Sequence, residues 1–225
     1  MHNILQRDIS IPVDTIRLQA TLTIPGKIMG IVIFSHGSGS SRFSPRNRFV
    51  ADILNQHHIA TLLADLLTPE EDAVYANRFN IELLTERLIA ITRWISQRDF
   101  GQTIPIGYFG ACTGAASALK ATVPCGNIVS AVVSRGGRPD LAAASLAFVK
   151  TPALLIVCSL DEEVLALNRQ ALESLSCEKQ LTIVEGATHL FEEPGKLEEV
   201  ARLATDWFLH HLRQPAIMDD TTPNH

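Results

Sequence analysis

The amino-acid sequence predicts an α/β fold in which helices cover both faces of a mostly parallel sheet of about eight strands, the first ones antiparallel. Short, almost wholly apolar segments recur along the chain, as in strands buried on both faces of a parallel sheet. Segments with helical periodicity separate them, which implies right-handed βαβ crossovers. The N-terminal segment instead alternates apolar and polar residues, which is typical of strands with one exposed face.

In chain order, the alternating segment covers residues 9–24 and ends at Pro25 and Gly26. The apolar segments that predict the remaining strands are 30–34, 59–63, 104–109, 128–133, 153–158 and 181–184. The segments with helical periodicity are 47–56, 80–97, 113–122, 140–149, 163–175 and 196–212, and Asn80 is suited to cap the second of them.

The domain organisation follows from length and patterning. One α/β core accommodates roughly 250 residues, so residues 1–213 are expected to form a single domain. Residues 214–225 carry little apolar patterning and are expected to be a flexible tail. The segment "SRGGRPDLAAASLAFVKTP" between the sixth and seventh strands is too short for a lid domain.

Composition excludes several classes of function. Hydrophobic residues make up 46% of the chain, which predicts a packed core, and the net charge of -5 comes without a basic run that would track nucleic acid. No segment approaches the roughly 20 apolar residues that span a bilayer, and the N-terminus lacks signal-peptide features. We therefore expect a cytoplasmic protein without a nucleic-acid or membrane partner, either a monomer or a homodimer. The cysteine spacings suggest neither disulfides nor zinc, and we expect no metal or other cofactor.

The segment "GYFGACTG" places Cys112 at a turn between a strand and a helix. Its GxCxG pattern differs from the GxSxG nucleophile elbow by one atom, and small residues at 110 and 114 would keep the tight turn free of clashes. The helix N-terminus favours a thiolate and helps to bind an oxyanion. The alternative is that Cys112 is a small, buried and inert residue.

Two later strand ends supply partners in the order nucleophile, acid, histidine. Asp161 follows the strand at 153–158, and His189 lies in the loop before the last helix. Each has an alternative interpretation: Asp161 as the N-cap of the next helix, with Glu162 or Glu163 as the acid, and His189 as an ordinary loop residue.

The segment "FSHGSGSS" is predicted to form the other half of an oxyanion hole, with the backbone amides of Ser38 and Thr113 as donors. His36 is expected to pack and to form hydrogen bonds rather than to act as a base. Gly37 and Gly39 are candidates for contacting substrate, although a plain turn also explains them. Arg42 and Arg135 are candidates for attracting an anionic substrate, the alternative being solvated surface side chains.

With "FSHGSGSS", "GYFGACTG", "IVCSLDEEV" and "GATHLFEEPG" in register with the sheet, the chain resembles the α/β-hydrolase superfamily over residues 9 to about 212, and within it the dienelactone hydrolase family. The resemblance implies a triad of Cys112, His189 and Asp161. The family has a glutamate where this chain has His36 and Gly37, and an arginine where it has Glu192 and Glu193, so a carboxylate-bearing lactone loses one expected partner.

The resemblance implies hydrolysis of a small-molecule carboxylic ester, thioester or lactone through an acyl-enzyme on Cys112. Three alternatives stay open. Cys112 replaces the serine of a serine esterase, the acyl group passes to an acceptor other than water, or the protein binds a ligand without turnover.

Overall fold

The computed structural model describes residues 4–98 and 104–212. An eight-stranded sheet runs in the order β1-β2-β4-β3-β5-β6-β7-β8. β1 pairs antiparallel with β2, and β2 antiparallel with β4, while the other neighbours are parallel. The predicted fold class is therefore confirmed.

The strands are β1 Leu5–Val13, β2 Ile16–Ile24, β3 Gly30–Ser35, β4 Ile59–Ala64, β5 Ile106–Ala111, β6 Val129–Arg135, β7 Ala153–Cys158 and β8 Lys179–Val184. The predicted tail at 214–225 lies outside the described residues.

Helices cover the sheet on both faces and enclose two apolar cores. Side chains of α3, α4 and α6 pack on one face, and those of α1 and α7 pack on the other. The helices are α1 Pro45–Gln56, α2 Pro69–Asp72, α3 Ile81–Ser96, α4 Thr113–Cys125, α5 Ala143–Leu146, α6 Glu162–Ser174 and α7 Lys196–His211. Asn80 caps α3 as predicted, because its side chain accepts a hydrogen bond from the Leu83 amide at 3.1 Å. None of these helices has the length and apolarity needed to cross a bilayer.

The prediction of one helix over 140–149 was wrong. The segment forms a 3-10 turn, Pro139–Ala142, followed by the single turn of α5. Ala142 departs from helical geometry, with φ -116° and ψ 15°, so the two turns are not continuous. Ala142, Leu146 and Val149 are buried at helical spacing, but Leu141 and Phe148 are exposed, so the buried stripe of the segment is narrow.

The sequence analysis missed α2 and the 3-10 turn Tyr75–Phe79, which follow β4. The signal for α2 is a capping box: the Thr68 hydroxyl accepts from the Glu71 amide, and the Glu71 carboxylate accepts from the Thr68 amide. These turns cover the carboxyl edge of the sheet beside the loop after β3. That edge is where open α/β sheets place their sites.

Candidate active site

Cys112 occupies a strained turn between β5 and α4. Its φ of 52° and ψ of -120° lie in a region that non-glycine residues rarely adopt. The end of β6 holds this backbone, because the Cys112 amide donates to the Arg135 carbonyl at 3.3 Å and the Arg138 amide donates to the Cys112 carbonyl at 3.1 Å. The strain is thus fixed by neighbouring structure, as at other functional sites.

Two glycines make the turn sterically possible. A Cβ on Gly110 would lie 2.5 Å from the Ala115 Cα, and a Cβ on Gly114 would lie 2.1 Å from the Ser35 carbonyl oxygen. Any side chain at either position would force the elbow away from β3 or from its own helix.

The three residues of the predicted triad lie in contact. The Cys112 side chain and the His189 ring interact closely enough to shift the pKa of each other. His189 Nδ1 lies 3.1 Å from Asp161 Oδ2, so the other ring nitrogen, Nε2, is the one left to interact with the Cys112 sulfur. The second Asp161 oxygen accepts from the Val164 amide at 3.2 Å as the N-cap of α6. The N-cap interpretation of Asp161 is therefore confirmed, and the cap fixes the same carboxylate that contacts the imidazole.

The loops that carry Asp161 and His189 are joined by hydrogen bonds. The Leu160 amide donates to the Ala187 carbonyl at 3.1 Å, and the Gly186 amide donates to Ser159 Oγ at 2.8 Å. Asp161 and His189, which are 28 positions apart in the sequence, are thereby held together at the sheet edge.

Residues after His189 hold its loop in place. Phe191 is fully buried with φ 57°, and it anchors the loop in the core shared by α1 and α7. The Glu193 carboxylate accepts from both the amide and the hydroxyl of Thr188. Glu192 pairs with Arg46 at 2.6 Å. Glu192 and Glu193 lie where the dienelactone hydrolase family is expected to have an arginine, and here they bind Arg46 and Thr188.

Electrostatics favour an ion pair between the sulfur and the imidazole. The hydrogen bond from His189 lowers the pKa of the Cys112 thiol, against burial, and the charges of His189 and Arg138 and the Thr113 amide act in the same direction. The hydrogen bond to Cys112 raises the pKa of His189, again against burial, with further support from Asp161. Both shifts favour thiolate and imidazolium in the resting site.

The loop after β3 touches the nucleophile, but its amides are arranged differently from the prediction. The Ser38 amide donates to the Thr113 hydroxyl at 2.9 Å, so a side chain engages the predicted oxyanion donor. Gly37 lies against the elbow, since a Cβ there would be 2.9 Å from the Cys112 Cβ. Gly39, with φ 68°, is exposed at the tip of a turn, which matches the plain-turn interpretation.

His36 stabilises this loop as a neutral side chain. Its Nε2 accepts from the Leu66 amide at 3.1 Å, so the proton resides on Nδ1, which donates to the Gly37 carbonyl at 3.0 Å. Burial lowers the pKa of His36, which keeps the ring neutral. Both nitrogens are occupied, in agreement with the predicted packing role.

A cavity of about 200 Å³ opens beside the same loop. Arg42 lies on its wall, but Asp65 pairs with the guanidinium and also accepts from the Arg42 amide at 2.7 Å. A smaller cavity shares three of its walls and extends to Gly37 and Ser38. The lining residues of the larger cavity are Arg17, Gln19, His36, Ser40, Ser41, Arg42, Phe43, Asp65, Leu67, Thr68, Pro69 and Asp72.

The described residues contain two groups with metal-ligand geometry. Cys158, Asp161 and His189 have ligand atoms within 4.8 Å of one another, and so do Glu178, His210 and His211. In the first group His189 Nδ1 and Asp161 Oδ2 lie 3.1 Å apart, so these two ligand atoms contact each other.

Arg135, at the end of β6 next to the elbow, is 8% exposed. Its Nη1 has no hydrogen-bond partner among the described residues. Burial lowers the pKa of Arg135 to about 10, the Arg46 charge adds to this, and the Cys112 thiolate opposes it. Each pKa unit corresponds to about 1.4 kcal/mol, so holding this guanidinium charged at neutral pH costs the fold about 3 kcal/mol. Arg135 is therefore not a solvated surface side chain.

Arg135→Met is expected to increase the free energy of unfolding by about 1 to 3 kcal/mol, because it removes an unpaired buried charge and keeps the apolar stem. Urea unfolding at pH 7 measures the change. The control is Arg169→Met on the exposed side of α6, for which we expect a change within about 0.5 kcal/mol. A loss of stability in Arg135→Met would mean that the guanidinium is well solvated or paired in solution.

No protein-family model matches the chain. The structure is similar to that of a dienelactone hydrolase from Anabaena variabilis ATCC 29413, with 50% identity and a TM-score of 0.91 over 94% of this chain and 100% of that chain. It is also similar to Est1E from Butyrivibrio proteoclasticus, with 17% identity and a TM-score of 0.77 over 90% of this chain and 98% of that one. The second likeness concerns the fold alone.

Two curated proteins from Mycobacterium tuberculosis, strains CDC 1551 and H37Rv, are each 57% identical to the chain over 194 residues. Both carry the name phosphoribosyl transferase as an unproven assignment. The match covers 86% of this chain but 44% of each of those proteins, so the chain spans less than half of their length.

Proposed function

Because the chain belongs to the dienelactone hydrolase family of the α/β-hydrolase superfamily, we propose that it hydrolyses a small carboxylic ester, thioester or lactone through a covalent acyl-enzyme on Cys112. The observation that carries the proposal is the line of contacts from Cys112 through His189 to Asp161, with pKa shifts that favour thiolate and imidazolium. A nucleophile, a base and a group that orients the base are the elements that acyl transfer requires.

Acylation begins when the Cys112 thiolate attacks the carbonyl carbon and the carbonyl oxygen becomes an oxyanion. The Thr113 amide, in the first turn of α4, interacts with the sulfur, which supports a role for it in stabilising that charge. As the tetrahedral intermediate collapses, the carbon to leaving-group bond breaks. His189 Nε2 gives its proton to the departing oxygen or sulfur, which leaves a thioester on Cys112 and a neutral imidazole.

Deacylation reverses the roles. Neutral His189 takes a proton from water, the hydroxide attacks the thioester carbonyl, and the thiolate of Cys112 leaves as the acid is released. Asp161 holds Nδ1–H throughout, so that Nε2 keeps facing the reacting atoms. The ion pair of the resting site is thereby restored.

The substrate is proposed to lie partly in the cavity beside the loop after β3, whose volume of about 200 Å³ suits a small group. The cavity contains both charged and apolar side chains, and Asp65 balances the charge of Arg42. Glu192 and Glu193 bind Arg46 and Thr188 instead of supplying a cation beside His189. These pairings occupy Arg42 and Arg46, so among the described residues Arg135 beside the elbow is the cation left to bind a carboxylate-bearing substrate. We propose no nucleic-acid or membrane partner for this site.

The two Mycobacterium tuberculosis relatives are named for phosphoribosyl transfer, but the match with this chain covers only 44% of their length. None of the contacts that the described residues make around Cys112 favours this activity. We therefore propose ester hydrolysis for the segment that this chain shares with them.

Cys112→Ser is expected to lower kcat/KM for p-nitrophenyl esters by at least about tenfold, because a serine hydroxyl lacks the intrinsic nucleophilicity of a preformed thiolate. Steady-state assays with acyl chains of graded length make the comparison and also define the preferred acyl group. If the parent protein gives a burst without turnover while Cys112→Ser turns over briskly, the cysteine stands in the place of a serine. If neither hydrolyses any ester and no acyl probe labels Cys112, the protein is a binder.

A further inference from the structure

We propose that the Thr113 side-chain hydroxyl is itself a donor to the oxyanion, and that the Ser38 amide acts through it rather than on the substrate. This inference rests on the proposed acyl-enzyme mechanism. It assigns a catalytic role to a hydroxyl that the elbow motif does not specify.

The hydrogen bond between Ser38 and Thr113 carries the argument. The Ser38 amide donates to Thr113 Oγ1 over 2.9 Å, the ordinary length for such a bond. A backbone amide has one hydrogen, so while this bond exists the Ser38 amide does not point at an incoming carbonyl oxygen. One of the two donors expected from the sequence is thereby replaced.

The Thr113 hydroxyl has a proton to offer in its place. A hydroxyl accepts through its lone pairs and donates one hydrogen, and Ser38 uses only an acceptor position. No acceptor for the hydroxyl proton is found among the described residues, although Thr113 is only 3% exposed. A hydroxyl whose oxygen accepts a hydrogen bond is also polarised into a stronger donor.

The position of Thr113 suits this role. It is the first residue of α4, directly after the nucleophile, and its own amide faces the Cys112 sulfur. A threonine side chain in a helix has few rotamers, and the bond to Ser38 restricts it further. The amide and hydroxyl of a single residue would then converge on the oxygen that develops negative charge.

The test separates oxyanion stabilisation from nucleophile reactivity. Thr113→Val keeps the side-chain shape and removes the hydroxyl. Thr113→Ser keeps the hydroxyl and removes the methyl group. Each variant is assayed for ester hydrolysis and for alkylation of Cys112 by iodoacetamide. Alkylation is displacement at a saturated carbon and forms no oxyanion, so it reports the thiolate alone. Cys112→Ser measures alkylation of the other cysteines.

We expect Thr113→Val to lower kcat for p-nitrophenyl esters by about 100- to 1,000-fold, with little change in KM and with an unchanged alkylation rate. Thr113→Ser is expected to stay within about tenfold of the parent protein. Ester hydrolysis by Thr113→Val at or above the parental rate would overturn the inference, because it would show that the Ser38 amide is the better donor once released. Equal losses in alkylation and hydrolysis would also overturn it, since the hydroxyl would then act on the nucleophile. Normal alkylation together with ester hydrolysis that Cys112→Ala does not abolish would instead contradict the proposed function itself.

Discussion

Cys112→Ala is expected to lower kcat/KM for the preferred p-nitrophenyl ester by about 10,000- to 1,000,000-fold, leaving only the rate that substrate positioning provides. The physical reason is that the thiolate is the atom proposed to form the covalent bond, and the neighbouring residues only support it. Steady-state kinetics at pH 7 measure the loss.

Folding must be shown to survive this substitution. Cys112 is half-buried and alanine removes only its sulfur atom, so the urea midpoint should change little. Cys177, also half-buried but remote in sequence from the elbow, supplies the matched control: Cys177→Ala should retain full activity. Substantial ester hydrolysis by folded Cys112→Ala would rule out the sulfur as the nucleophile.

His189→Ala is expected to have the second largest effect, and its signature is a change in the pH dependence of alkylation. The hydrogen bond with His189 is the largest cause that lowers the pKa of the Cys112 thiol. Iodoacetamide reacts with thiolate, so in the parent protein the rate should rise with pH through a midpoint below that of an ordinary thiol, whose pKa is about 8.5. Without His189 the midpoint should move upward.

The direction of the shift sets the sign of the effect. A thiol below its pKa holds less thiolate when that pKa increases, so alkylation near pH 6 should be slower in His189→Ala than in the parent protein. Ester hydrolysis should fall much further, because the variant also lacks the base for deacylation. Burial raises the pKa of Cys125, Cys158 and Cys177, so their background reaction should be small at this pH, and Cys112→Ser measures it. If the pH midpoint of alkylation is the same in His189→Ala as in the parent protein, the mechanism does not include an ion pair between Cys112 and His189.

The two substitutions should not be additive. If Cys112 and His189 act as one unit, the double variant Cys112→Ala, His189→Ala should be no less active than Cys112→Ala alone. A further loss in the double variant would indicate that His189 assists hydrolysis independently of the sulfur.

The fold could be predicted from local patterns because strand and helix periodicities are properties of neighbouring residues. The buried strands and the cap at Asn80 are examples. The nucleophile elbow could also be predicted from the sequence, because the tight turn leaves no space for a side chain at Gly110 or Gly114. The helix predicted over 140–149 failed because the backbone leaves helical geometry at Ala142, although Ala142, Leu146 and Val149 are buried at helical spacing.

The details of the site depended on contacts between residues far apart in the sequence. The bond from Ser38 to Thr113 joins positions 75 residues apart, and no local pattern indicates that a hydroxyl engages the amide expected to bind the oxyanion. The burial of Arg135 is set by how the end of β6 packs beneath neighbouring elements, which a single arginine after a strand does not reveal. Asp161 shows a different limit of sequence analysis. An aspartate directly before a helix is expected both for an N-cap and for the proposed catalytic acid, so the sequence does not distinguish the two roles.

The most direct test of the central claim is to detect the acyl group on Cys112. The parent protein is mixed with p-nitrophenyl acetate, quenched in acid within its first turnovers, and examined by intact-mass and peptide mass spectrometry. We predict one acetyl group per chain, on the peptide that contains Cys112, and none on that peptide in Cys112→Ala. Steady ester hydrolysis with no acyl group on Cys112 at any quench time would contradict the mechanism.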